Sequence, residues 1–262
     1  MSFDRRKSGG HRAVEAMNGI LYSLLLLPVV LCGLECRAVE YFKGTIDGKR
    51  ITVCKVNVRE ERLELFLRDE TGKGLKSFAK IDAWLGTKGR KLVFAMNAGM
   101  FHPDWSPVGL FISEGREVKG LNTDSAPGNF FLKPNGVFAI NESGAHVVET
   151  FEYPKLGGKV RLATQSGPLL VQRGKLHPAF NAGSQSRLYR NGVGVPNADT
   201  ALFAISEDPV NFHEFARFFR DGLHCPDALF LDGDICSLYS PELKRSDWKM
   251  DLGPVIGITT ER

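Results

Sequence analysis

Cysteine is scarce in this chain: five occur in 262 residues, and two of them, Cys32 and Cys36, fall within the first 38. The remaining Cys54, Cys225 and Cys236 permit at most one internal bridge and leave an odd thiol, so no disulfide scaffold is possible. No CxxC pair is present, and His146, His177, His213 and His224 show neither HxH nor HxxxH spacing. Histidine- or cysteine-built metal centres therefore have no support in the pattern. Charge of one sign is also lacking. The net charge is +4, and the first 38 residues carry five Lys/Arg against three acids, leaving 29 bases and 27 acids beyond them. Such a balance leaves no electrostatic footprint for nucleic acid. Beyond residue 40 there is no repeat, no low-complexity linker and no long apolar run.

The one long apolar run lies near the N-terminus. DRRKSGGHR is a basic segment, Ile20 to Leu34 are uncharged and largely apolar, and small residues follow at Cys36 and Ala38. This is the order of a secretory signal, and residues 1–38 are read as one. The alternative is a retained N-terminal anchor, since the run stops short of the roughly 18 to 20 residues of a membrane span. Either reading places the body of the chain, residues 39–262, in the periplasm or outside the cell. Membrane contact is expected only through this N-terminal segment.

The body holds 43% hydrophobic residues, 28 glycines and 13 prolines, enough for one sizeable core built of many short strands. ITVCKVNV and RLELFLRD alternate as strands do, and Tyr41 to Arg68 reads as a meander with an Asp47-Gly48 hairpin. Further strands are expected at Leu92–Met96, Gly109–Ser113, Phe130–Lys133, Gly136–Ile140, His146–Glu149, Arg161–Thr164, Pro168–Gln172, Gly192–Val195 and Ala201–Ser206. Ser77 to Leu85 suits a short helix. A clearer helix begins at Asn211, with Glu214 completing a capping box and Gly222 placed to end it. Its Phe212, Phe215, Ala216, Phe219 and Leu223 recur at helical spacing as a core-facing stripe. The fold class is α+β: one β-rich domain of mixed sheet with few helices.

Two strands end alike. LVFAMNAG runs an apolar strand into Asn97, and ALFLDGD runs one into Asp232-Gly233-Asp234. Polar residues at strand ends either shape turns or project into a ligand crevice. MFHPDWSP sets His102 and Asp104 shortly after Asn97, for a pocket mouth or an exposed loop. Glu207 follows a strand and could enter a site, whereas Asp208 before Pro209 suits a turn. Gln165-Ser166-Gly167 is not a nucleophile elbow, so Ser166 suits a turn or a substrate hydrogen bond.

In order along the chain, MNAGMF (96–101), SPVGL (106–110), QSGPLLVQRGKL (165–176), RNGVGV (190–195) and ALFLDG (228–233) resemble the motifs of the phosphodiester glycosidase family, in its bacterial secreted branch. The resemblance covers about residues 90–258. It implies a hydrolase acting on a sugar-1-phosphodiester in an envelope glycan or related conjugate, without a cofactor. By position it implies Asn97, Arg190 and Asp232 as catalytic residues. Gly233, Ser237, Arg187, Ser166, Gly167, His102 and Asn191 would contact substrate. A guanidinium fork at Arg190 matches phosphate oxygens. Asp232 would serve at C1 as nucleophile, base or oxocarbenium stabiliser. Two positions depart from the family pattern: Asp234 replaces a glycine, and Cys236 precedes Ser237. Asp234 leaves a divalent cation open, and with it a metal-dependent phosphodiesterase. Cys236 could be a free thiol or a partner for Cys225. A non-catalytic envelope glycan-binding protein is the third reading.

Overall fold

A computed structural model describes residues 39–233 and 235–262; the expected signal segment and Asp234 lie outside the described residues. The strands are β1 (Glu40–Ile46), β2 (Lys49–Asn57), β3 (Leu63–Phe66), β4 (Arg90–Asn97), β5 (Phe111–Ser113), β6 (Arg116–Lys119), β7 (Gly136–Asn141), β8 (Gly144–Glu149), β9 (Leu162–Ser166), β10 (Leu169–Gln172), β11 (Lys175–Leu176), β12 (Asn191–Asn197), β13 (Thr200–Ser206), β14 (Asp227–Asp232), β15 (Leu238–Ser240), β16 (Arg245–Ser246) and β17 (Val255–Glu261). Helix α1 (Phe78–Gly86) follows β3, and α2 (Phe212–Arg217) follows β13.

These strands form three sheets. Seven make the first, in the order β1-β2-β13-β12-β14-β10-β11. The second runs β16-β15-β4-β17-β3 and the third β6-β5-β9-β7-β8. The α+β class with β dominant holds. Every described pairing between strands is antiparallel, so the parallel component of the expected mixed sheet is absent from the described residues. The expected Tyr41–Arg68 meander divides: β1 and β2 pair in the first sheet, but β3 pairs with β17 in the second. The β17 strand at the C-terminal end had no counterpart in the sequence reading, and its partner β3 lies nearly 200 residues earlier in the chain.

The sheets enclose one apolar core by period-two alternation. From β14, Leu229 and Leu231 enter the cluster shared by all three sheets, while Ala228 and Phe230 point to the layer under α2. Phe203 of β13 marks the meeting point. Its ring lies 5.5 Å from Phe94 of the second sheet and 5.8 Å from Phe138 of the third. Helix α1 covers the other face of the second sheet through Phe78, Ile81 and Leu85.

Helix α2 starts as its sequence dictates. The Asn211 side chain accepts from Glu214 N, and Glu214 accepts from Asn211 N. The α-helix is shorter than the apolar periodicity implies, because Phe218–Gly222 continue as a π-helical turn. Gly222 does not supply the left-handed stop; His224, at φ 53°, does. The extra residue per turn lets Phe215, Phe218 and Phe219 all remain buried. Phe130 lies in a short 3-10 turn, Asn129–Phe131, not in the expected strand.

Candidate active site

The two strand ends that opened the question belong to different sheets and meet. Asn97 closes β4 in the second sheet; Asp232 closes β14 in the first. Asn191 joins them. Its Nδ2 donates to both the backbone oxygen and Oδ1 of Asn97, each at 2.9 Å. Its Oδ1 accepts from the Asp232 amide at 2.9 Å. Asn97 Oδ1 also accepts from the Ser237 amide at 3.0 Å. A β-bulge makes the geometry possible. Gly192 sits opposite Phe230, but Asn191 sits opposite Asp232, leaving Leu231 as the extra residue. Bulges of this kind re-aim a side chain at the end of a ladder. The third sheet is tied in at the same place: Ser166 Oγ donates to Leu231 O and Thr164 Oγ1 to Ala98 O, both at 2.8 Å.

Asn97 and Asn191 are almost wholly buried. Burying so many amides is tolerable because nearly all are paired. The exception is Asn97 Nδ2, which has no partner among the described residues. A buried donor left unsatisfied costs on the order of 1–3 kcal/mol, and here that donor sits beside the end of β14.

Arg190 precedes Asn191 and is only 1% exposed. Its Nε donates to Val210 O at 2.9 Å and its Nη2 to Ser186 O at 3.3 Å. The guanidinium carbon lies 3.7 Å from the centre of the Phe212 ring and 5.6 Å from that of Phe230. Phe212 in turn stacks on Phe180 at 5.0 Å, and Phe180 on His177 at 4.7 Å. A desolvated cation over a ring face gains about 2 kcal/mol, which helps offset its burial. Burial, and then the charge of Asp232, push the neighbouring Cys236 thiol well above the usual range, against the opposing pull of Lys249 and Arg190.

Asp232 and Gly233 border a cavity of about 460 Å³, walled by Met100, Phe101, His102, Phe131 and Leu188. Its far wall includes Pro127, Gly128 and Asn129. Gln165 holds the segment leading to that wall. Its Oε1 accepts from Leu110 N and Asn122 N, and its Nε2 donates to Asn122 O and Thr150 Oγ1. Gly109 is required there, because a Cβ would lie 2.3 Å from Gln165 Oε1.

The sequence profile described as phosphodiester glycosidase matches residues 90–237, which contain both strand ends and Arg190. The chain belongs to the phosphodiester glycosidase family. It is 31% identical over 220 residues to the uncharacterized protein YigE of Escherichia coli (strain K12), covering 84% of each chain. Among solved structures it resembles the catalytic domain of zebrafish N-acetylglucosamine-1-phosphodiester alpha-N-acetylglucosaminidase, auto-inhibited by its pro-peptide. That match has a TM-score of 0.62 at 14% identity and covers 87% of this chain and 85% of that one. A hypothetical protein from Synechocystis matches with a TM-score of 0.53 at 15% identity, over 85% of this chain and 62% of that one. At such identities the structural matches establish the fold.

The phosphodiester glycosidase motifs thus converge, but their side chains take different parts. Asn97, Asn191, Asp232 and Ser237 form one hydrogen-bonded group, and Gly233 and His102 border the cavity. Ser237 Oγ donates to Ile235 O. Ser166 spends its hydroxyl on Leu231 O, and Gly167 lets the Phe130 carbonyl approach where a Cβ would meet it at 2.7 Å. Both residues are buried away from the cavity lining, so their part is to join strands. Arg187 is engaged by Glu214 at the start of α2. Burial, the largest single influence, raises the Glu214 carboxyl, but the hydrogen bonds from Arg187 and Asn211 N together with the Arg187 and Lys49 charges outweigh it, and the pKa ends below its usual value.

Asp104 turns back to Ser106, at 2.6 Å, while Trp105 lies under Lys76. Asp208 pairs with Arg50. Cys54, Cys225 and Cys236 are free and buried, so the Cys225–Cys236 pairing is not formed. Among the described residues no three His, Cys, Asp or Glu side chains gather as metal ligands. Phe212 was expected as plain core, and the support that it and Val210 give Arg190 had no signal at helical spacing. The Gln165 clamp was equally silent, since three of its partners are backbone atoms 43 to 55 residues away and the fourth is the Thr150 hydroxyl, 15 residues away.

Proposed function

We propose that this protein is an exported phosphodiester glycosidase that hydrolyses the bond between C1 of a sugar and the oxygen of a phosphodiester. The observation that carries the reading is the Asp232 carboxylate at the edge of a cavity, on a strand end bonded to Asn191, the residue that follows the buried Arg190, in a chain of this family. In the reaction the C1–O bond breaks, water supplies a hydroxyl to C1, and its proton ends on the phosphate or in solvent. Asp232 stabilises the positive charge that develops at C1, as nucleophile or by its field. Arg190 favours the anionic phosphate through its charge, held in a low-dielectric setting where it acts strongly. A phosphate leaves readily, so one dominant carboxylate suffices. Asn97, buried, fixes the end of β14 through Asn191. The name of the zebrafish relative suggests N-acetylglucosamine-1-phosphate as the first sugar to test. The apolar run from Ile20 to Leu34 supports export to the periplasm or beyond.

The test is turnover of a panel of synthetic sugar-1-phosphodiesters in oxygen-18-labelled water. Label in the released sugar, with kcat lowered on the order of a thousandfold in Asp232→Asn, is the expected result. Label in the phosphate would overturn the reading in favour of attack at phosphorus.

A further inference from the structure

A second cavity, of about 470 Å³, lies beside the first and takes no part in the chemistry above. Its walls include Tyr189, Glu207, Cys236, Arg245, Trp248 and Lys249. The two cavities flank common elements. Leu188 borders the first and Tyr189 the second; Gly233 and Ile235 border the first and Cys236 the second. The turn closed by Cys236 N on Gly233 O, at 2.9 Å, therefore separates them, and that turn follows directly on Asp232.

The walls carry a distinctive mixture of groups. Trp248 is 71% exposed and Tyr189 42% exposed, so two amphipathic rings stand at the rim without being used by the core. Lys249 Nζ lies 4.6 Å from the centre of the Tyr189 ring and forms no ion pair among the described residues. Arg245 is spent internally, on Glu207 and Asp247. Among the described residues the two acids make all their side-chain bonds through a single oxygen each. Glu207 Oε1 accepts from Thr52 and Arg245, and Asp247 Oδ2 accepts from Leu238 N and Arg245. Their second oxygens retain acceptor capacity for hydroxyl donors. An apolar ligand would strip water from those carboxylates without replacing its hydrogen bonds, at a net cost. A ligand rich in hydroxyls and bearing a phosphate would satisfy acceptors, rings and cation together.

We propose that this groove is the leaving-group subsite, taking a saccharide or polyol that is joined through the phosphate to the sugar being released. The inference rests on the glycosidase reading and deepens it: the sugar to be released lies in the first cavity, at Asp232, and the group beyond the phosphate reaches the second. Trp248 and Tyr189 supply the stacking platform and Lys249 attracts the phosphate-bearing end. These are specificity residues, separate from the group that acts at C1.

The experiment uses the full chain and two substrates sharing one sugar-1-phosphate, esterified either to methanol or to glucose. Trp248→Ala and Lys249→Met are compared with the parent chain; both side chains are exposed, so neither substitution threatens folding. The expected result is a selectivity change. In Trp248→Ala the ratio of kcat/KM for the glucosyl over the methyl ester falls about tenfold, through KM. Lys249→Met raises KM for the glucosyl ester as well. Ratios within about twofold of the parent for both variants overturn the subsite. If the parent turns over neither ester, the glycosidase reading fails separately, and direct binding then decides the subsite. Glucose 6-phosphate should quench tryptophan fluorescence saturably in the parent and not in Trp248→Phe. No quench, or a quench that survives Trp248→Phe, overturns the proposal.

Discussion

Asn191 Nδ2 lies 2.9 Å from both oxygens of Asn97, across the boundary between two sheets, while its Oδ1 holds the amide of Asp232. One amide side chain thus fixes the relative position of two strand ends that are 135 residues apart in sequence. Asn191→Ala leaves Asn97 Oδ1 and the Asp232 amide short of a partner in a buried place. We expect a loss of about 2–4 kcal/mol in unfolding free energy and a fall in kcat larger than that in thermal stability alone would give. Asn191→Asp should fare no better, because it presents a buried carboxylate to the Asn97 carbonyl oxygens. Denaturant unfolding beside turnover checks both.

Phe212 presents its face to the Arg190 guanidinium at 3.7 Å. Phe212→Leu keeps apolar volume but removes the ring quadrupole and the stop against rotation. The expected outcome is a drop in kcat/KM of about tenfold, with less than about 1.5 kcal/mol lost in stability. Phe212→Tyr should retain most activity. A leucine variant with unchanged kinetics would deny Phe212 any positioning role.

The three described thiols should be inert in the folded protein. Burial raises Cys225 to about 12, and burial lifts Cys54 and Cys236 well above the thiol range. At neutral pH the reactive thiolate is therefore almost absent. A thiol-titrating disulfide reagent should count none of Cys54, Cys225 or Cys236 in the native state, and all three after denaturation.

Acid should destabilise the fold through His177. The side chain is buried, its Nδ1 accepts from Ala179 N at 3.1 Å, and burial lowers its pKa below 6.5. The unfolded chain then binds the proton more readily, so this contribution is complete above pH 6.5 and is lost as pH falls toward the folded value. His177→Asn keeps an acceptor for Ala179 N but cannot titrate. The decline in melting temperature as pH falls below about 6.5 should be shallower in that variant.

The parts of this fold legible in the sequence were those set by local rules. The Asn211–Glu214 capping box, the Asp47-Gly48 hairpin and the apolar runs before Asn97 and Asp232 all declare themselves within a few residues. Partner choice did not. Alternation predicts that β3 is a strand, but its pairing with β17 joins residues nearly 200 apart, and no local pattern specifies that. The same holds at the site. The motifs named Asn97, Arg190, Asn191 and Asp232, yet the bulge at Leu231 and the carbonyl of Val210 involve main-chain geometry, which side-chain types do not encode. Ser166 and Gly167 belong to a motif for a related reason: they let strands come close, a demand of packing that sequence comparison cannot tell from contact with a substrate.

Arg190 has little left to surrender. With its ring face against Phe212 and two of its nitrogens held by main-chain carbonyls, its rotamer entropy was spent when the chain folded. A mobile arginine forfeits up to about 2 kcal/mol of that freedom on closing around an anion; this one forfeits almost none. Its field is therefore present in full at first encounter, and folding rather than binding bears the cost of aiming it.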